Sequence, residues 1–198
     1  MTTESNAHGP GGSAAASTLR IDIPADAAPL VERTLPALLR RQAERFGGSP
    51  CLEIAGAQWR HADAALEAAR VGAALKAAGI VRGDRVALMG GNRVETLAVF
   101  LGCGWIGAIS APINTASMGP QIAYFLADSG AKLLVIEAAH AARLQTADLS
   151  PSALEAIWVI GDPGAAAVPS AVASSTALKV SSDGTVKLSS ALVRRLGR

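Results

Sequence analysis

The run RVALMGGNRVETLAVFLGCGWIGAISAPIN, residues 85–114, decides the fold. Arg85 to Met89 is a short apolar strand, Gly90-Gly91-Asn92 is a tight loop, and the apolar positions then take up helical spacing towards Trp105. Ala108 to Ile113 reads as a second strand. Strand, helix and strand with such short joints predict a right-handed parallel β-α-β unit. Asn92 and Glu95 are spaced as a capping box at the start of the helix.

Two stretches of this run invite a chemical reading. Gly90-Gly91-Asn92-Arg93 follows a strand and precedes a helix, so its amides, with Arg93 assisting, could bind an anion. The plainer reading is a capped turn with a solvated Arg93, since no phosphate-loop Lys follows. Gly102-Cys103-Gly104-Trp105-Ile106-Gly107 is a literal G-x-G-x-x-G, but it ends a helix and precedes a strand. Phosphate would there meet the negative end of the helix dipole. Its small residues are expected to let the helix pack closely and to form the exit turn.

Outward from this unit the same alternation continues. On the N-terminal side, Thr34 can cap a helix with the stripe Leu35, Leu38, Leu39, Ala43 and Phe46. Cys51 to Ile54 and Gln58 to Arg60 read as two short strands, and Asp63 stands near the start of an Ala-rich helix that Gly79 closes. On the C-terminal side, Pro120 sits at a helix start whose stripe is Ile122, Phe125 and Leu126, closed by Gly130. Lys132 to Ile136 is a buried-type strand, a helix runs from about Ala138 to Leu144, and Ala156 to Ile160 is expected to be the last strand. The fold class is α/β, in parallel β-α-β layers. Past Asp162 the pattern dissolves, with a weak hairpin around Asp183-Gly184 and a basic end at Arg194, Arg195 and Arg198.

Composition narrows the function classes. Lys plus Arg number 18 against 16 acidic residues, a net charge of +2 that gives no basic face for nucleic acid. Aromatics make up 4%, too few for a base-stacking platform. Cys51 and Cys103 stand alone and His8, His61 and His140 are scattered, so neither a disulfide framework nor a metal site is expected. Isolated thiols fit a cytoplasmic protein. Residues 1–30 are expected to be a disordered leader, because residues 1–18 lack the basic start and apolar stretch of a secretory signal. Thr96 to Ala127 carries no charge, yet Gly102, Gly104, Gly107 and Pro112 interrupt it, so no membrane span is expected.

Conventional catalytic constellations are missing. Ser117 and Ser129 have no paired His and acid, and Asp84, Glu95 and Asp128 read as turn, cap and helix-end residues. No catalytic, cofactor-binding or metal-binding residue is assigned.

In order and spacing, the phrases TLPALLRRQAERF, QWRHADAALEAARVGAALKAAGIVRGDRVALM, NRVETLAVFLGCGWIGAISAPIN and YFLADSGAKLLVIE resemble the N-terminal part of the AMP-forming acyl-CoA synthetase (adenylate-forming ligase) family. The resemblance covers residues 34–162, so 31–162 is expected to be a partial AMP-binding N-terminal domain and 163–198 a divergent, poorly ordered tail. One departure is Arg60-His61-Ala62-Asp63-Ala64, where the family usually has Thr-Tyr, one variable residue and Glu-Leu.

The resemblance implies that a carboxylic acid and ATP give an acyl adenylate, from which the acyl group passes to coenzyme A, with magnesium assisting. The family's phosphate loop, aromatic-Gly-x-Thr-Glu motif, ribose-binding Asp and C-terminal Lys are not found here. Tyr124 is followed by Phe125, and Ser181-Ser182-Asp183-Gly184-Thr185-Val186-Lys187 echoes the phosphate loop with a single Gly and an Asp that would repel phosphate. ATP, magnesium and coenzyme A are therefore implied for the full-length family and not for this chain alone. The expectation is an N-terminal ligase portion, shortened by truncation, a frame change or gene splitting, and not competent alone. Its final strand should then be an open edge that promotes association. The alternatives are a non-catalytic interaction subunit completed by a second chain and, behind it, an NAD-binding oxidoreductase domain built on Gly102 to Gly107.

Overall fold

Thr34 Oγ1 accepts a hydrogen bond from the Ala37 amide at 3.4 Å and closes the first turn of α1 (Leu35–Phe46), the cap expected from sequence. The structure is a computed structural model that describes residues 29–161 together with two later strands, 176–180 and 186–188. Strands β1 (Pro50–Ile54) and β2 (Ala57–Arg60) form an antiparallel hairpin. Its turn residues Ala55 (φ 50°) and Gly56 (φ 81°) are both left-handed, as a two-residue hairpin turn requires. At the start of α2 (His61–Ala77), Asp63 Oδ2 accepts from the Arg60 amide at 2.8 Å. Gly79, at φ 88°, turns the chain out of the helix.

The alternating segments then follow as β3 (Arg85–Met89), α3 (Val94–Ile106), β4 (Ile109–Pro112), α4 (Gly119–Ser129) and β5 (Leu133–Glu137). A short α5 (Ala138–Ala141) continues as a 3-10 turn, Ala142–Thr146, and leads to β6 (Ala156–Ile160). Strands β7 (Thr176–Val180) and β8 (Val186–Leu188) complete a sheet of order β4-β3-β5-β6-β7-β8, parallel throughout except for the β7–β8 pair.

Both faces of the central strands β3, β5 and β6 are covered, which is why they read as continuous apolar runs. Val86, Leu88, Leu133, Val135, Trp158 and Ile160 point into a core shared with the hairpin and the three N-terminal helices. Ala87, Met89, Leu134, Ile136, Ile157 and Val159 point the other way, into a core with Ile122 and Leu126 of α4 and Leu144. Phe125, expected in the α4 stripe, is 41% exposed, and Tyr124 beside it is 63% exposed. Two buried positions four residues apart suffice to seat this helix.

Three other expectations change. β6 is not an edge, because β7 pairs with it in parallel from Trp158↔Thr176 to Ile160↔Leu178. The segment read as a tail thus contributes two strands, and they pair antiparallel as the hairpin around Asp183-Gly184 required. The turn of that hairpin lies outside the described residues, as do the basic end and nearly all of the leader. Lastly, Asn92 does not cap α3: Arg93 holds the N-cap position, and Glu95 bonds its guanidinium instead of an amide.

Candidate functional site

The order β4-β3-β5 creates a crevice. From β3 the chain turns to α3 on one face of the sheet, and from β5 it turns to α5 on the other. The two connections diverge at the carboxyl ends of adjacent strands, where doubly wound sheets place their ligands.

In this chain an internal carboxylate spans that point. Glu137, the last residue of β5, accepts the Gly91 amide at 3.0 Å through Oε2 and Arg93 Nη1 at 3.2 Å through Oε1. Arg93 also grips both oxygens of Glu95, with Nη2 at 2.7 Å and Nε at 3.3 Å. The Gly91 amide, and then Arg93, hold the Glu137 carboxyl below its ordinary range, although partial burial opposes them. The bond to Glu95 raises the Arg93 guanidinium further above its own ordinary value. The Gly90–Arg93 loop does hold an anion, as its position after a strand suggested, but the anion belongs to the protein. Arg93 remains 40% exposed, as the plainer reading had it, but its guanidinium is paired with Glu95 and Glu137.

Beside this network lies a cleft of about 550 Å3. Its apolar walls include Ile54 from the hairpin tip, Leu88, Leu97 and Phe100 of α3, and Ile113 beyond β4. Asn92, Arg93, Thr96 and Glu53 supply its polar groups. Thr96 Oγ1 is buried with no hydrogen-bond partner among the described residues. It packs where a Cβ on residue 90 would fall, 2.6 Å away, so Gly90 is the residue that admits it.

The G-x-G-x-x-G run has a packing role. A Cβ on Gly102 would stand 2.6 Å from Val71 Cγ1, and one on Gly104 would strike Leu35 Cδ2. Gly107 ends α3 in the left-handed conformation at φ 76°. Cys103 between them is buried, which pushes its thiol up to about 12. These residues touch α1 and α2, far from any strand-first loop, and the dinucleotide reading has no geometric support.

Asp84 is structural. Asp84 Oδ2 accepts the Val81 amide at 2.9 Å, and its Oδ1 meets Lys132 Nζ at 2.9 Å. Those two contacts, in that order, lower its carboxyl. Ser129 Oγ donates to the Phe125 carbonyl at 2.6 Å, and Arg143 donates to the Ser117 carbonyl at 3.1 Å. Among the described residues no three His, Cys, Asp or Glu side chains converge as metal ligands. Magnesium, which the family resemblance implies, is commonly held by one or two carboxylates together with substrate phosphates, and no described residue is assigned to it. No described helix is long and apolar enough to cross a membrane.

Glu137 escaped the sequence reading. It is the polar end of an apolar strand, and only its sheet neighbour β3 gives it a partner. A carboxylate closing a buried strand next to a strand–Gly-Gly–helix joint is the signal that could have found it.

This architecture defines a class, the N-terminal region of adenylate-forming ligases. The chain resembles the anthranilate CoA ligase AuaEII solved with anthranoyl-AMP, with TM-score 0.64 and 26% identity over 72% of this chain and 27% of that one. It also resembles the N-terminal domain of FACL13 from Mycobacterium tuberculosis, with TM-score 0.60 and 26% identity over 79% of this chain and 44% of that one. The sequence signature described as AMP-binding enzyme matches residues 39–185, and the chain belongs to that family. The match runs past Asp162, where the resemblance read from sequence stopped.

Relatives include the long-chain-fatty-acid–CoA ligase FadD13 of Mycobacterium tuberculosis, 35% identical over 55% of this chain and 22% of that protein. A feruloyl-CoA synthase of Amycolatopsis is 34% identical over 51% of this chain and 21% of that protein. The chain matches about a fifth of the length of these curated relatives.

Proposed function

We propose that this chain is the N-terminal part of an ATP-dependent acyl-CoA ligase, whose whole reaction activates a carboxylic acid as its adenylate and transfers the acyl group to coenzyme A. The observation that carries this reading is the AMP-binding enzyme match over 39–185, laid on a doubly wound parallel sheet.

By itself the chain does not complete the reaction. Adenylation needs free amides and a cation aimed at phosphoryl oxygens. At the switch point of this sheet the Gly91 amide and Arg93 are already committed to Glu137 and Glu95. A second polypeptide carrying a phosphate loop and a C-terminal Lys would complete the site. The setting of this reading is the cytoplasm, where Cys51 and Cys103 stay unpaired.

ATP–pyrophosphate exchange with a panel of aliphatic and aromatic carboxylic acids tests the reading. The purified chain is expected to give no exchange above the blank, whereas robust exchange would show it to be a competent enzyme alone.

A further inference from the structure

Among the described residues β4 has a neighbour on one side only, so the sheet ends there in an open edge. The amides of Ile109 and Ile113 donate inward, to the Asp84 and Leu88 carbonyls at 2.8 and 2.9 Å. Alternation then turns the Ser110 amide and carbonyl outward, together with the carbonyl of Pro112, which has no N–H to give. Within β4 the edge therefore offers one donor, at Ser110. An edge strand left in water is usually guarded by charge. Here no charged residue stands between Thr96 and Ala127, a stretch that holds β4 and most of α4.

The α4 side of this edge is apolar. Ala87 and Ile113 belong to the core beneath α4, and the register Arg85↔Ile109, Ala87↔Ala111 turns Ile109 and Ala111 to the same face. On α4, a Cβ at Gly119 would strike Thr146, so that flank of the helix faces the 3-10 turn. Helical spacing sends Phe125 to the opposite flank, the one on the β4 side. Ile109 is 52% exposed and Phe125 41%, with the Tyr124 ring edge-on to Phe125 at 5.6 Å. The helix leaves the end of its own sheet bare.

We infer that β4 pairs with β4 of a second copy of this chain, antiparallel across a two-fold axis at Ser110. A strand with a single outward donor suits its own copy. The Ser110 amide of each chain donates to the Ser110 carbonyl of the other, and Pro112 ends the pairing on either side. One such pair is short, so the side chains must add to it, and the copy brings an identical apolar flank. The two-fold keeps both α4 helices on one face of the joined sheet, where Ile109 and Phe125 of each chain fill the space over the two β4 strands. Since the stretch that each chain contributes is uncharged, no like charges are brought together. This contact holds independently of the proposed function.

Sedimentation velocity of the full chain over a series of concentrations, with amide hydrogen exchange read by NMR on the same samples, tests it. Reducing conditions keep the exposed Cys51 from linking copies. The mass should rise from one chain to two and stop there, and the Ser110 amide should gain about tenfold protection at the concentrated end. Ile109→Lys, which sets an ammonium on the apolar flank of each copy, should weaken the dimer about tenfold or more. A monomer at every concentration, growth past two chains, protection gained elsewhere but not at Ser110, or undiminished pairing by I109K would each overturn the inference. Should I109K fail to fold, Phe125→Glu on the exposed flank of α4 takes its place, with the same weakening expected.

Discussion

The Gly91 amide donates to Glu137 Oε2 at 3.0 Å, across 46 residues of sequence, and joins the loop after β3 to the end of β5. Arg93 Nη1 reaches the other oxygen of the same carboxylate, so a single side chain ties down both the loop and the start of α3. An internal carboxylate thereby bridges the crevice that the topology opens.

Glu137→Gln should therefore destabilise the chain more than an ordinary surface change. The amide can still accept from Gly91, but Arg93 loses one of its two carboxylates, and a cost of about 1–3 kcal/mol is expected for a charged hydrogen bond. Urea unfolding followed by circular dichroism checks it. A midpoint shift no larger than that of the exposed control Asp128→Asn would show the latch to be energetically idle.

Stability should also depend on acidity in a definite direction. Asp84 and Glu137 are both lowered from ordinary values of 3.8 and 4.5, so the folded state holds them ionised more strongly than the unfolded state does. Their contribution is fully present above about pH 5. It is lost as the pH falls below 4.5 and then 3.8, towards the folded-state values. Unfolding midpoints measured from pH 7 down to pH 3 should be flat and then fall. Glu137→Gln should make the fall shallower, and an unchanged profile would remove Glu137 from the account.

Gly102→Ala tests the packing role of the glycine run. The new methyl would sit 2.6 Å from Val71 Cγ1 in the contact between α2 and α3, and overpacking of this kind costs about 1–3 kcal/mol. Val71→Ala in the same chain should recover part of the loss, giving a favourable coupling in a double-mutant cycle. Strict additivity would mean that the two residues do not meet.

The two thiols should differ sharply in reactivity. Cys51 is exposed, while Cys103 is buried with its thiol pushed up to about 12 and holds almost no thiolate at neutral pH. An aromatic disulfide reagent should titrate one thiol per native chain and two after denaturation. Rapid reaction of both in the native protein would contradict the burial of α3.

Much of the fold was legible because its signals are local. Thr34, Asp63, Pro120 and the closing glycines Gly79 and Gly130 act within a turn or two of their own positions, and each is found at the helix end it marks. The uninterrupted apolar strands followed from a sheet covered on both faces. Past Asp162 the chain loses its pattern, and there only a weak hairpin around Asp183-Gly184 was legible. That its first strand, β7, pairs with β6 and removes the expected open edge was not.

By itself, the sequence determined an α/β chain of the adenylate-forming type, since periodicity, caps and ordered phrases are properties of contiguous residues. Tertiary structure alone decided how the switch point is used. Gly91, Arg93 and Glu137 share no local pattern, and they meet because β3 and β5 are neighbours in a sheet that places β4 on the far side of β3. Hydrogen bonds act over about 3 Å, and which groups lie that close across 46 residues is settled only when the strands pair.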